Sequence, residues 1–207
     1  MQLCIKLKTI IMNTLKNLKL VFGSLLIMMV TTQISVAQTY NLNNASSTLK
    51  VEGTSNVHDW EIVAKEQQGK IVAELDNGQL VKISQLDFTV KAESLKSGKN
   101  GMDKNTYKAL NTDKHKQITY KLSKVNNIDC TTTGSCKVTT SGTLTIAGHS
   151  KPIEITFDAK ISGDKITLTG SKALKMSEYK VDPPTAMFGT ITTGDQVTIK
   201  FQSTFSK

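Results

Sequence analysis

The sequence predicts an all-β fold: an antiparallel β-barrel of about eight strands with one short helix in a connection. Three observations carry this. Apolar and polar residues alternate with period two along most of the chain, as in strands with one buried face. Short polar turns, most of them containing glycine, separate the alternating runs. The repeated helical crossovers of a parallel sheet are missing, so neighbouring strands should run antiparallel.

Taken in order, the first strand is Leu49–Gly53. Trp60, Ile62 and Ala64 then share a face, as do Ile71, Ala73 and Leu75, and next Leu86, Phe88 and Val90. Turns are expected at Gln67-Gln68-Gly69 and Asp76-Asn77-Gly78. A helix is predicted over Asp103–Leu110, with Asp103 as a capping-type residue and Tyr107 and Leu110 on one face. The strand pattern resumes at Ile118, Tyr120 and Leu122, then runs through Val138, Thr140, Gly142, Leu144 and Ile146. Ile153 to Ile161 follows a turn at Ala147-Gly148-His149, and Ile166, Leu168 and Gly170 follow one at Ser162-Gly163-Asp164. A long connection holding Pro183-Pro184 leads to the last strand, where Val197, Ile199, Phe201, Ser203 and Phe205 alternate with polar residues. About nine strands result, enough to close a barrel and so remove exposed sheet edges.

Residues 1–37 read as a secretory signal peptide, which leaves 38–207 as the barrel domain. Lys16 and Lys19 precede the apolar run Leu20–Val30, and small residues follow at Ser35 and Ala37. Cleavage is expected between Ala37 and Gln38, with Met12 as an alternative start. The expected destination is periplasmic or secreted. No integral membrane segment is expected after cleavage, because no apolar run approaches the ~20 residues of a spanning helix.

The chain has 207 residues, 38% of them apolar, which suits one domain with a real core. All 26 basic residues are lysines. Lysine lacks the planar fork that grips phosphates and base edges, so the basic balance argues against nucleic acid as a partner. Removing the signal peptide takes one of the three cysteines and leaves Cys130 and Cys136 flanking a turn. In an oxidising compartment such a pair reads as a disulfide across a hairpin. It is a poor zinc site, since zinc wants four ligands and no histidine lies near. No metal and no cofactor are expected.

Barrels of this size are either filled by side chains or just roomy enough for one ligand. The inward series holds many small residues: Ala64, Ala73, Thr140, Gly142, Ala159, Gly170 and Ser203. A solid interior would want larger groups at several of these, which points to a cavity. The competing reading places them near barrel ends or opposite large neighbours.

The stretch from Ser141 to Phe157 resembles the most characteristic hairpin of the YceI-like family: a strand with G-x-L-T-I-x-G, a turn, then K-P and a second strand. Met102–Leu110 followed by Lys114-His115-Lys116-Gln117-Ile118 resembles that family's approach to a Y-P-x-I-x-F strand. Here His115 and Lys116 stand for the tyrosine and proline, and Tyr120 for the phenylalanine. Val57-His58-Asp59-Trp60 departs from the family's more apolar version. The resemblance covers about residues 40–205. It implies a lipocalin-like antiparallel barrel, exported in bacteria, that holds a polyisoprenoid or other long-chain amphiphilic lipid. It carries over no catalytic residues.

The chemistry of catalysis is poorly represented. The chain has no G-x-S-x-G elbow, no H-E-x-x-H pair and no glycine-rich phosphate loop. Ser-x-x-Lys occurs at Ser47–Lys50 and Ser177–Lys180, but neither opens a predicted helix. His58, His115 and His149 are far apart in sequence, and the last two fall in polar connections. The expectation is therefore a binding protein and not an enzyme. Candidate lining residues are Trp60, Phe88, Tyr120, Leu144, Ile146, Phe157, Leu168 and Phe201. Tyr107 and Leu110 on the helix, with Met187 and Phe188 in the late loop, are placed at one mouth. The parity of His58 matches Trp60, which puts its imidazole inward, near a ligand's polar head or satisfied by a neighbouring strand. A non-catalytic exported interaction or structural module with a solid core stays open as the alternative, and a homodimer is compatible with either.

Overall fold

The computed structural model describes residues 37–207; the signal-peptide reading of residues 1–37 lies, but for Ala37, outside them. Twelve strands and one α-helix follow in order: β1 (Gln38–Leu42), β2 (Thr48–Ser55), β3 (Trp60–Ala64), β4 (Gln67–Asp76), β5 (Gln79–Lys91), β6 (Leu95–Lys96), α1 (Asn100–Leu110), β7 (Gln117–Thr132), β8 (Ser135–Ile146), β9 (His149–Ser162), β10 (Lys165–Lys175), β11 (Thr185–Ala186) and β12 (Ile191–Ser206). Every pairing is antiparallel. Strands β1-β4-β5-β7-β8-β9-β10-β12 form a ring of eight, closed where Asn41 and Leu42 face Ser206 and Phe205. This is the predicted lipocalin-like barrel.

A branch leaves the ring at its last strand. Beyond the two residues paired with β1, β12 pairs with β2 from Gln202 to Thr193. Strand β3 then adds to β2, and β6 to β3. The bend between β1 and β2 is fixed by Asn43, whose side chain accepts from Ala45 N and Ser46 N, and whose N–H donates to Thr204 O at 2.8 Å. The Ser47 hydroxyl completes it, donating to Asn43 O and accepting from Thr204 N.

Antiparallel order sorts the connections between the two barrel ends. One end carries the tight turns Asn77-Gly78, Thr133-Gly134 and Gly163-Asp164. Asn77 and Gly78 have φ of 49° and 77°, the left-handed pair that a two-residue hairpin requires. This end is solid: Tyr40, Ile71, Ala73, Val138, Ala159, Ile166 and Phe205 are fully buried. Cys130 and Cys136, facing residues of the β7–β8 hairpin, are joined there as a disulfide. The other end carries the β2–β3 loop, α1, the β8–β9 turn and the long β10–β12 connection.

Four expectations are corrected. Gln67, Gln68 and Gly69 lie inside β4, and the chain reverses at Lys65-Glu66. Gly69 marks a close approach instead of a turn: a Cβ there would fall 2.9 Å from Asp87 O and 3.2 Å from the Phe205 ring. The helix begins at Asn100, three residues early, and Asp103 does not cap it. Its carboxylate instead accepts from Ser97 N at 2.8 Å and Ser97 Oγ at 2.7 Å, with Lys96 Nζ at 3.8 Å, tying β6 to α1. His149, expected in a connection, opens β9, and His115 is half-buried against the β8–β9 turn, where a Cβ on Gly148 would fall 2.4 Å from its ring. Three strands escaped prediction: β1, and the two-residue β6 and β11. Among the described residues no helix is long and apolar enough to cross a membrane.

Candidate functional site: an apolar cavity

Above the solid floor the barrel is hollow. A cavity of about 1410 Å³ is walled by inward residues of the ring and of the β2–β3–β6 branch, with Phe205 at its base. Trp60, Phe88, Tyr120, Leu144, Ile146, Phe157, Leu168 and Phe201 all border it. Leu110 lines it from α1 together with Met102, Thr106 and Ala109. The exposed side chains of Met187 and Phe188, in the β10–β12 connection, form part of its rim.

Neighbouring backbone fixes the aromatic walls. The Trp60 ring lies over Gly53, its strand partner, and its Nε1 donates to Thr54 O at 3.0 Å. Tyr120 packs on Gly142, and its hydroxyl shares a 3.0 Å hydrogen bond with Thr140 Oγ1. Burial raises the Tyr120 pKa, with the Thr140 bond offsetting part of the rise, so the phenol stays neutral at ordinary pH. Gly170 receives the ring of Phe201, with the Phe157 Cβ beside it.

These contacts revise the reasoning that led to a hollow barrel. Of the seven small inward residues, only Ser203 lines the cavity. Ala73 and Ala159 pack the solid end, while Gly142 and Gly170 are seats for aromatic rings. The space comes from the long walls and the added branch of strands. Small side chains do not make it.

Two site residues sit elsewhere than expected. His58 is outside β3, in the β2–β3 loop, so strand parity does not apply to it. It is exposed at the rim, with Nδ1 2.8 Å from Asp59 O. Tyr107 does not line the cavity. Its hydroxyl lies 2.9 Å from Glu93 O and 3.0 Å from Leu95 O, under Lys96, and so fastens α1 to β6 from the side. Both Ser-x-x-Lys serines are engaged in structure, Ser47 with the β1–β2 bend and Ser177 with Asp195 at 2.6 Å. Among the described residues no cluster of His, Cys, Asp and Glu could hold a metal.

Sequence reading missed the wall after β10, formed by Met176, Tyr179 and Val181, and the inward Lys172 and Leu174 at the end of that strand. Lys172 had a signal: it continues the parity of Ile166, Leu168 and Gly170. Tyr179 and Val181 had none, because they leave the strand in a 3-10 turn.

An eight-stranded antiparallel barrel, solid at one end and hollow at the other, belongs to the calyx-shaped β-barrels. The particular branch is the YceI-like family, to which this chain belongs: the family's domain model matches residues 40–205. Two solved structures share the fold. One is a polyisoprenoid binding domain from Saccharophagus degradans implicated in plant cell wall breakdown, with TM-score 0.61 and 14% identity over 81% of this chain and 97% of that one. The other is BcnA of Burkholderia cenocepacia, with TM-score 0.60 and 19% identity over 79% and 98%. A search of curated proteins gives no match.

Proposed function

We propose that this protein is an exported, non-catalytic carrier that holds a polyisoprenoid or other long-chain amphiphilic lipid in its barrel, for storage or transit across an aqueous compartment. The cavity is the observation that carries the reading. At about 1410 Å³ it exceeds the roughly 300–1,000 Å³ of ordinary small-molecule sites. Its walls are aliphatic and aromatic along their length, which suits a chain more than a compact polar metabolite. Each methylene moved from water into such a wall contributes about 0.8 kcal/mol, so chain length alone supplies affinity. The structural neighbour described as a polyisoprenoid binding domain supports the same ligand class. A solid interaction module would need a filled core, and the cavity weighs against it.

Native mass spectrometry of protein purified without detergent, followed by organic extraction, tests the proposal. The expected result is a long-chain lipid at near one per chain. Bare protein that also refuses added isoprenoids and fatty acids sinks it.

A further inference from the structure

The cavity has one sign of charge. Its lining includes four lysines, Lys99, Lys104, Lys108 and Lys172, and no aspartate or glutamate. The ion pairs among the described residues use other lysines: Lys50, Lys82, Lys91, Lys96, Lys200 and Lys207. Lys99, Lys104 and Lys108 are exposed, in and just before α1, and alone would be ordinary solvated charges.

Lys172 is different. On β10 the inward residues are Leu168, Gly170, Lys172 and Leu174, while Thr169, Ser171, Ala173 and Lys175 face solvent. Lys172 is half-buried, faces Ile199 across the strand pair and has no carboxylate partner. An ammonium on an apolar wall costs free energy unless something pairs with it. The same side of the cavity carries a second unused donor. Tyr179 is 2% exposed and lines the cavity, and its hydroxyl has no hydrogen-bond partner in the protein. Burial, with the Glu178 charge adding to it, pushes the Tyr179 phenol up in pKa and so keeps it a donor at neutral pH.

We infer that the ligand is an amphiphile whose head bears an anionic oxygen group, carboxylate or phosphate, and that Lys172 holds that head on the inner wall. This rests on the carrier reading. The apolar chain then lies along the walls toward Phe205, and the three rim lysines raise the local concentration of anions at the mouth. A charge-assisted hydrogen bond shielded from water gives Lys172 a discriminating role that the exposed lysines lack.

The test uses matched pairs on delipidated protein, farnesol against farnesyl phosphate and hexadecanol against palmitate. Trp60, the only tryptophan of the chain and a wall residue, serves as fluorescent reporter. The wild type should bind each anion about tenfold more tightly than its alcohol. Lys172→Met should bring the two within about twofold, leave the alcohol unchanged and fold at least as stably, while Lys172→Arg keeps the preference. Preference in only one pair identifies the head as carboxylate or phosphate. Equal binding of alcohol and anion by the wild type overturns this inference and leaves the carrier reading standing. So does a preference that survives Lys172→Met, or one lost instead in a Lys99→Gln, Lys104→Gln, Lys108→Gln variant. Failure to bind any of the four overturns the carrier reading itself.

Discussion

The ring of Tyr120 occupies the space a side chain at Gly142 would need: a Cβ there would fall 2.5 Å from Cε2 and Cζ. The two residues lie on paired strands, and the close approach sets where the Tyr120 ring stands in the cavity wall. A methyl group at Gly142 would also meet Lys121 O at 2.5 Å, which is backbone and cannot step aside. Gly142→Ala should therefore destabilise the barrel by about 1–3 kcal/mol, the usual cost of overpacking. Urea unfolding read by circular dichroism checks it, and an unchanged midpoint would show that the strands give way freely.

Asp103 should make α1 acid-sensitive. Burial alone would raise its pKa, but the Ser97 hydroxyl and N–H, helped by Lys96, together hold it below its ordinary value of 3.8. A folded-state pKa lower than the unfolded one contributes stability that is present above 3.8 and is lost as pH falls through the folded value. Asp103→Asn should thus lower the melting temperature at neutral pH. The gap to wild type should close as pH drops below 3.8, and a gap constant with pH would refute the assignment.

The Cys130–Cys136 bond closes a short loop, six residues apart in sequence, at the solid end. Replacing both cysteines with serine should cost about 2 kcal/mol, toward the low end for disulfides because the loop is short. Ligand binding should not change, since neither cysteine lines the cavity. Paired denaturation and binding titrations separate the two effects.

Phe188 is fully exposed at the rim and sits at φ 56°, between Met187 at 51° and Gly189 at 88°. A left-handed backbone is costly for a phenylalanine and free for glycine. Phe188→Gly should leave the melting temperature unchanged or slightly higher. If Phe188 folds over a bound chain, the same variant should release it about tenfold faster, the scale of burying one aromatic side chain. Stopped-flow release of a fluorescent fatty acid measures this.

Period-two alternation made most of the barrel legible, because most long strands have one buried and one wet face; in β7 register shifts break the period after Leu122. It failed where strands are too short to show a period, as in β6 and β11, and at β1, whose five residues adjoin the expected cleavage point. The eight residues that parity puts inward border the cavity, whereas His58 reaches its rim from a loop, since parity counts only within a strand and the chain leaves β2 at Ser55. Tyr107 shared a helical face with Leu110 in sequence, but its hydroxyl found the carbonyls of Glu93 and Leu95. Spacing reveals a face. It does not reveal which partner a polar tip reaches.

The shared edge of β12, paired first with β1 and then with β2, divides the labour of the barrel. The ring closes on two residue pairs in the tightly packed part, and the strands that enlarge the bore add seven more pairs along β12 above it. Sequence change in β2, β3 or β6 reshapes the container through Leu49, Ile62 and Leu95, which share one core with the hoop beneath. Exchanging that flank for another therefore means matching its inward side chains to the hoop as well as to the cargo.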